Sequence, residues 1–416
     1  MRTDRPGKEL SAHAPEIPSD LLADLLRRAV RLPLLAAKYR QWAVGGTPAL
    51  HQIPVLRHDE LARVTEEVLA LRTADGTSSL WAVGGSLTDP ELSLLPHDLG
   101  VRQLRHSWRP LGADDVLANL HPLERLRPNH HFFNRFAAES GTLGLAFGRL
   151  PEGGHKEWAE LLTKVGVTAV AAPPETVTQL LGIATANRPL PWLRTLLLGG
   201  MSLDSTPDET LADCLPNTRV WRLYGSPATG TVAQRGPRCL DDVYHPLPTQ
   251  HVEIVAGLLV VTTLDPARNP PLIRYETEER GEFTLCACGR PGPAVRLFGA
   301  ASPYFRMHGH TVSAQELADL AVATGDVRTA QVVLDDSSWD ERVQLRVRLA
   351  PGVPADEYTL QWIRYQVLTR HLVLASCVLE QPDAFEVVTA DELADTASPA
   401  LNGRATVGSV LVRDAF

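Results

Sequence analysis

A chain of 416 residues is too long for one ordinary hydrophobic core, so two or three packed units are expected. Its 44% apolar and 21% charged fractions are those of a globular protein, and 40 basic against 49 acidic residues, net −9, argue against a nucleic-acid surface. No run approaches the roughly 18 uninterrupted apolar residues of a membrane span, and the N-terminus carries charge and prolines without the apolar core of a secretory signal. Five cysteines in such a chain read as reduced thiols or metal ligands rather than a disulfide frame, which points to the cytoplasm.

Residues 1–18 read as a flexible tail. Helical spacing of Leu21, Leu22, Leu25, Leu26 and Val30 predicts a helix over Asp20–Arg40, with Ser19 or Asp20 as N-cap. A second helix is expected to begin at Arg57–Asp59. Signals are mixed from Leu80 to Val170. Helices are then expected over His155–Val165 and Pro174–Thr185, with strands at Val167–Ala172, Leu193–Leu198 and Arg219–Leu223. Strands interleaved with helices imply a largely parallel sheet covered on both faces.

Leu258–Leu264 is a β-branched apolar run, Asp265–Pro271 a Pro/Asn-rich breaker, and Leu272–Thr277 a second strand that leads to Cys286 and Cys288. Near Phe298–Gly309 the texture turns to Gly, Ala, Ser and Pro, as suits a linker. Beyond it a helix over Ala314–Thr324, strands over Thr329–Asp335 and Val343–Leu349, and a helix over Tyr358–Leu374 make a separate unit. The expected division is a main α/β domain over 19–299 and a small α+β domain over 302–416.

The passage GLLVVTTL…PLIRYETEERGEFTLCACGR, residues 257–290, resembles the phenylacetate–CoA ligase branch of the acyl-adenylate-forming enzymes. The resemblance implies their fold: a large α/β domain with mostly parallel sheets and a small, mobile C-terminal domain. It also implies a set of nucleotide-binding motifs, from which this sequence departs. The phosphate loop of these enzymes aligns best with Val83–Pro90, where Asp89 replaces a Lys and Leu87 a hydroxyl; the plain alternative is a turn in which Asp89 caps what Pro90 begins. A carboxylate there repels a triphosphate unless a metal intervenes.

Tyr224-Gly225-Ser226 keeps the turn of the second motif, but Ala228 stands where a Glu would bind Mg²⁺. Tyr224 can still stack on a planar ring and Gly225 can allow close approach, although a strand-ending turn needs no ligand. Glu279 offers a carboxylate in place of the ribose-binding Asp. Gly299 is all that remains of the hinge motif, with Ala300 where an Arg is expected. Arg404 stands in for the C-terminal Lys that polarises the carboxylate. Together these departures point to adenylation that is lost or weak, with ATP and Mg²⁺ poorly provided for. The resemblance also places Gly199 and Gly200 against the acyl group and adenine, and His130, His131, Phe132 and Phe133 along the acyl site. There His131 can serve as a base and Phe132 line the substrate, or these residues can be packing groups.

Cys239 lies six residues before His245, and Cys286 and Cys288 form a CxC. Three thiolates and one imidazole make a tetrahedral zinc set, and some members of the resembled branch place a Cys…His before, and a CxC after, the same strand. With every position filled by protein, the zinc is expected to be structural. The expected function is that of a divergent ligase-like protein acting on an aryl or acyl substrate without ATP, by acyl transfer, hydrolysis or cyclisation, in a biosynthetic pathway. The substrate is a free small molecule or a thioester or carrier-protein conjugate, and a dimer is compatible with the sequence. An active acyl-AMP-forming ligase and a non-catalytic binding or scaffold partner are the alternatives.

Overall fold

Pro33 divides the expected first helix in two. Helix Ser19–Ala29 ends at Val30, and Pro33–Val44 starts afresh, because proline can open a helix but cannot donate within one. Pro18 rather than Ser19 or Asp20 occupies the N-cap, with no side-chain cap. These helices and His58–Ala70 bury Leu22, Leu25, Leu26, Tyr39 and Val64 in a common core with Leu272, Ile273 and Tyr275. Arg274 fastens this helical layer to the sheet. Its backbone lies in the left-handed region (φ 50°), and its guanidinium bonds Glu253 Oε2 at 3.0 Å and the carbonyls of His51 and Ile53.

The computed structural model describes residues 16–44, 48–71, 78–85, 90–123, 128–148, 155–173, 176–177, 180, 190–199, 208–226, 228–240, 242–300, 304–307, 310–335, 342–390 and 411–414. The tail over 1–15 and most of the helix expected at Pro174–Thr185 lie outside them.

The main sheet has eleven strands among the described residues. Strands Leu143–Ala146, Val116–Asn119, Ala169–Ala172, Thr195–Gly199 and Arg219–Ser226 run parallel in that spatial order. Ala169–Ala172 and Thr195–Gly199 are buried along their whole length, as continuous apolar runs in a two-face-covered sheet should be. Val170, Ala172, Leu196 and Leu198 face one core, which includes helix His155–Val165; Ala169, Ala171 and Leu197 face another, built on helix Asn129–Ser140. The sheet then continues antiparallel through Gly230–Arg235, Val243–Pro246, Ala294–Ala300, Tyr275–Thr284, Leu258–Thr263 and Gln250–Val255.

Residues after 326 build a second sheet of four strands, ordered Phe385–Thr389, Arg342–Leu349, Val327–Asp335, Leu411–Asp414. Val343, Leu345 and Val347 alternate into a core of their own with Leu317, Ile363, Val367 and Phe385. Fold class is α/β with a smaller C-terminal sheet unit, as expected, but the large sheet is mixed rather than mostly parallel, because its strands from Gly230 onward largely follow one another through hairpins and pair antiparallel. The expected Tyr358–Leu374 helix is again two, Glu357–Arg370 and Leu372–Glu380. His371 breaks it with an extended backbone (φ −129°, ψ 100°) and caps the second helix by accepting Leu374 N–H on Nδ1 at 3.1 Å.

Candidate functional site: a Cys3His centre and the acyl-site wall

Antiparallel pairing of Ala294–Ala300 with Val243–Pro246 draws the Cys286–Cys288 turn against the loop that holds Cys239. The three Sγ atoms and one ring nitrogen of His245 consequently lie within 4.8 Å of one another. Ligands of a tetrahedral Zn²⁺ sit roughly 3.8 Å apart, so small side-chain movements bring this set onto one ion. Gly289 (φ 84°) turns the chain back so that the Arg290 N–H reaches Cys288 Sγ at 3.5 Å. Cys288 Sγ also lies 3.3 Å from His245 Nε2, and Arg290 Nη2 donates to the Ser107 carbonyl at 3.2 Å, tying the turn to helix Val101–Ser107.

Burial pushes the Cys239 thiol up to about 12, aided by Cys288 and Cys286 beside it. Cys286 is held below the ordinary thiol value: burial raises it, but hydrogen bonds from Cys288, Leu240 and Cys239 outweigh that. Burial and Arg290 lower His245, which keeps its ring neutral and available as a ligand. A soft donor set of this kind suits a borderline-soft cation.

Of the other expected residues, Gly199 and Tyr224, Gly225 and Ser226 lie at the C-terminal ends of parallel strands. Phe133, fully buried, stacks on His121 (centroids 4.8 Å, 9°) and meets Phe132 edge-on at 5.0 Å. Its ring also covers Gly199: a Cβ added there would fall 2.4 Å from two ring carbons. That glycine accordingly has a packing reason to be glycine. Phe132 is buried in the same aromatic layer. His130 is buried with Nδ1 bonded to the His121 carbonyl at 2.7 Å, whereas His131 is exposed, its ring centroid 6.1 Å from that of Trp81. Trp81 stands on Ser78–Gly85, which pairs antiparallel with Pro90–Pro96. What Pro90 begins is thus a strand. Asp89 and Leu87 fall outside the described residues, as do Gly200 and Arg404.

Tyr224 is buried, with its ring centroid 5.9 Å from that of Tyr244. Gly225 sits so close to the next strand that a Cβ would fall 2.1 Å from the Gly230 carbonyl. The Ser226 hydroxyl is engaged with Thr229, accepting its N–H at 3.1 Å. The hairpin therefore explains this glycine and serine locally. Glu279 is buried and pairs in register with Ala300, so strand pairing brings the expected ribose carboxylate beside the remnant hinge at Gly299 (φ 92°).

One residue the sequence did not flag lies beneath the second of these motifs. Arg268 is buried and donates to the Leu94 carbonyl at 2.8 Å and to the Ala228 carbonyl. A guanidinium thus bonds the backbone where a Mg²⁺-binding carboxylate is expected. Burial lowers it to about 10. Its setting in a Pro/Asn-rich breaker gave no local sign of burial.

Neither a protein-family model nor a curated protein matches the sequence. Solved structures do. A 2-hydroxyisobutyryl-CoA ligase, in complex with 2-HIB-AMP and CoA in the thioesterification state, superposes with a TM-score of 0.72 at 16% identity, over 91% of this chain and 87% of that one. The chain has the adenylate-forming fold. A malonyl-CoA ligase with methylmalonyl-CoA and AMP bound (TM-score 0.54, 18% identity, 76% of this chain and 71% of that one) shares that fold. So does the amide bond synthetase McbA from Marinactinospora thermotolerans (0.55, 17%, 77% and 66%). The 2-hydroxyisobutyryl-CoA ligase in its open conformation with 2-HIB-AMP and CoA scores only 0.56, and in its postadenylation state with 2-HIB-AMP also 0.56, although 92% of this chain is covered in each case.

Proposed function

We propose that this adenylate-forming fold acts on an aryl or acyl group already carried as a thioester, with its own adenylation lost or weak. The observation that carries the thioester part of this reading is the contrast between states of one ligase; the weak adenylation rests on the nucleotide motifs. Coverage is nearly constant, so the higher score for the thioesterification state reflects how the parts are arranged rather than how much is matched. In that state the attacking thiol meets an acyl group that is already activated, 2-HIB-AMP in that neighbour, and AMP leaves; where the acyl group arrives as a thioester, its thiol is the leaving group and no triphosphate is needed. Acyl transfer, hydrolysis or cyclisation from a CoA or carrier-protein thioester fits that arrangement.

Chemistry at the nucleotide motifs supports the same reading. Ala228 brings no carboxylate for Mg²⁺, and its carbonyl accepts from Arg268. Ala300 removes a cation near the nucleotide, and Asp89 brings a negative charge toward the triphosphate. Losing one preorganised charge contact typically costs ~3 kcal/mol of transition-state stabilisation, on the order of a hundredfold in rate. His131 is the candidate base, Arg404 the candidate cation at the acyl carbonyl, and Glu279 the candidate hydroxyl acceptor. The Cys239–His245–Cys286–Cys288 cluster is assigned a structural zinc, and with the motif at 257–290 supports placement in the phenylacetate–CoA ligase branch.

An active ligase is the second reading, favoured by neighbours that bind 2-HIB-AMP and CoA or AMP and methylmalonyl-CoA. Two assays on the zinc-replete protein separate the readings. Pyrophosphate exchange is expected to stay at background with a panel of aryl and fatty acids, while aryl and acyl pantetheine thioesters are consumed, as followed by mass spectrometry. Strong acid-dependent exchange would replace the proposal with the ligase reading.

A further inference from the structure

The outer face of helix Glu357–Arg370 is aromatic where a surface helix should be polar. Thr359, Ile363 and Val367 face the core, yet Tyr358, Trp362 and Tyr365, spaced four and three apart on the opposite face, are 80%, 44% and 57% exposed. Trp362 and Tyr365 stack on each other with centroids 5.9 Å apart. A contiguous aromatic stripe of this kind marks an association surface more often than chance exposure does.

The helix also says what covers it. Glu357-Tyr358 and Arg364-Tyr365 are two charge–aromatic pairs seven residues apart, so the pairs share one helix face and flank, with charges of opposite sign. Seen against an antiparallel copy of itself, the stripe is self-complementary. Centring the two-fold axis between Gln361 and Trp362 sets Tyr358 of one helix level with Tyr365 of the other. Glu357 then lies within about 3 Å, along the axis, of Arg364 in the copy, at 1.5 Å rise per residue. Arg364 is held ready: its Nε and Nη2 donate to the carbonyls of Phe385 and Pro382, which fix the guanidinium without neutralising it. Among the described residues neither Glu357 nor Arg364 has an ion-pair partner.

We propose that this face is a two-fold interface between copies of the chain, with the Tyr358–Trp362–Tyr365 stripes packed on each other and Glu357 paired with Arg364 across the axis. An interface of one helix per copy is smaller than the standard size, so the dimer is weak and concentration-dependent.

Sedimentation equilibrium of the full chain over a concentration series tests this. The native chain should fit a monomer–dimer equilibrium. Trp362→Glu should weaken association on the order of thirtyfold or more, since a central aromatic is replaced by a charge. Tyr358→Ser, at the most exposed of the three positions, should weaken it less and keeps the test open if the first variant misfolds by circular dichroism. Glu357→Arg should set like charges face to face and reduce association at low salt, with partial recovery in high salt. A native chain that stays monomeric throughout overturns the proposal. So does a dimer indifferent to Trp362→Glu and Tyr358→Ser, which would place the contact elsewhere.

Discussion

At Gly199 a single hydrogen atom decides the packing. The Phe133 ring lies where any β-carbon would go, and Phe133 is itself held by His121 and Phe132, so it has no free direction in which to retreat. Gly199→Ala is therefore expected to destabilise by about 1–3 kcal/mol, as overpacking does. Adding Phe133→Leu should recover part of that, and chemical denaturation of the two variants checks both. Cys286 gives a second test at this scale. If the cluster holds zinc, the native chain should purify with a full equivalent of metal, Cys286→Ser should lose most of it, and its melting temperature should drop toward that of chelator-treated native protein. A metal-free native chain unchanged by chelator would end the zinc assignment.

Helix breaks are where elements acquire chemical character. His371 ends one helix and caps the next while almost wholly buried, and burial depresses its pKa from 6.5 to about 4. The Glu316 carboxylate, 3.8 Å from Nε2, favours the charged ring but does not offset that burial. The unfolded chain takes up this proton near pH 6.5 and the folded one only near 4, so the unfolded state binds more protons between them. Stability from the neutral ring should be fully present above about pH 6.5 and lost progressively toward pH 4, roughly 3 kcal/mol in all. Comparing the pH dependence of urea unfolding for the native chain and His371→Asn, which keeps a cap acceptor without a titrating ring, isolates the effect. Parallel curves would show that His371 does not contribute.

For the whole molecule, the question is how independent the C-terminal unit is. Among the described residues its four-stranded sheet shares no strand with the eleven-stranded one, and Val343, Leu345, Val347, Ile363 and Phe385 share a core built from residues after 304. We place the domain boundary at residues 299–302, where Gly299 takes a left-handed φ of 92° that other residues rarely adopt. A fragment over 302–416 is expected to fold alone with one cooperative unfolding transition by circular dichroism. A fragment without cooperative unfolding would make the unit an appendage of the main core.

Periodicity and motif order made much of this legible in advance. Buried parallel strands announce themselves as apolar runs, the Leu258–Thr263 passage and its CxC turn carried the adenylate-forming fold, and the four metal-competent residues were identified by type and spacing. These signals are local, because strand pattern and ligand chemistry are properties of a few neighbouring residues. Helix breaks at Pro33 and His371 were half visible: the proline could be read, whereas a histidine breaks a helix only when its ring finds a backbone N–H to cap. What sits across space from a glycine, or beneath a turn, was not legible at all. Phe133 over Gly199 and Arg268 under Ala228 are separated from their partners by 66 and 40 residues, and in sequence each looks like an ordinary pocket aromatic or an exposed loop cation. The sequence by itself determined the α/β class, the order of motifs and the metal-competent set. Only tertiary packing decided how the large sheet pairs, which motif glycines face side chains and which charges are buried, because these depend on segments that approach from far along the chain.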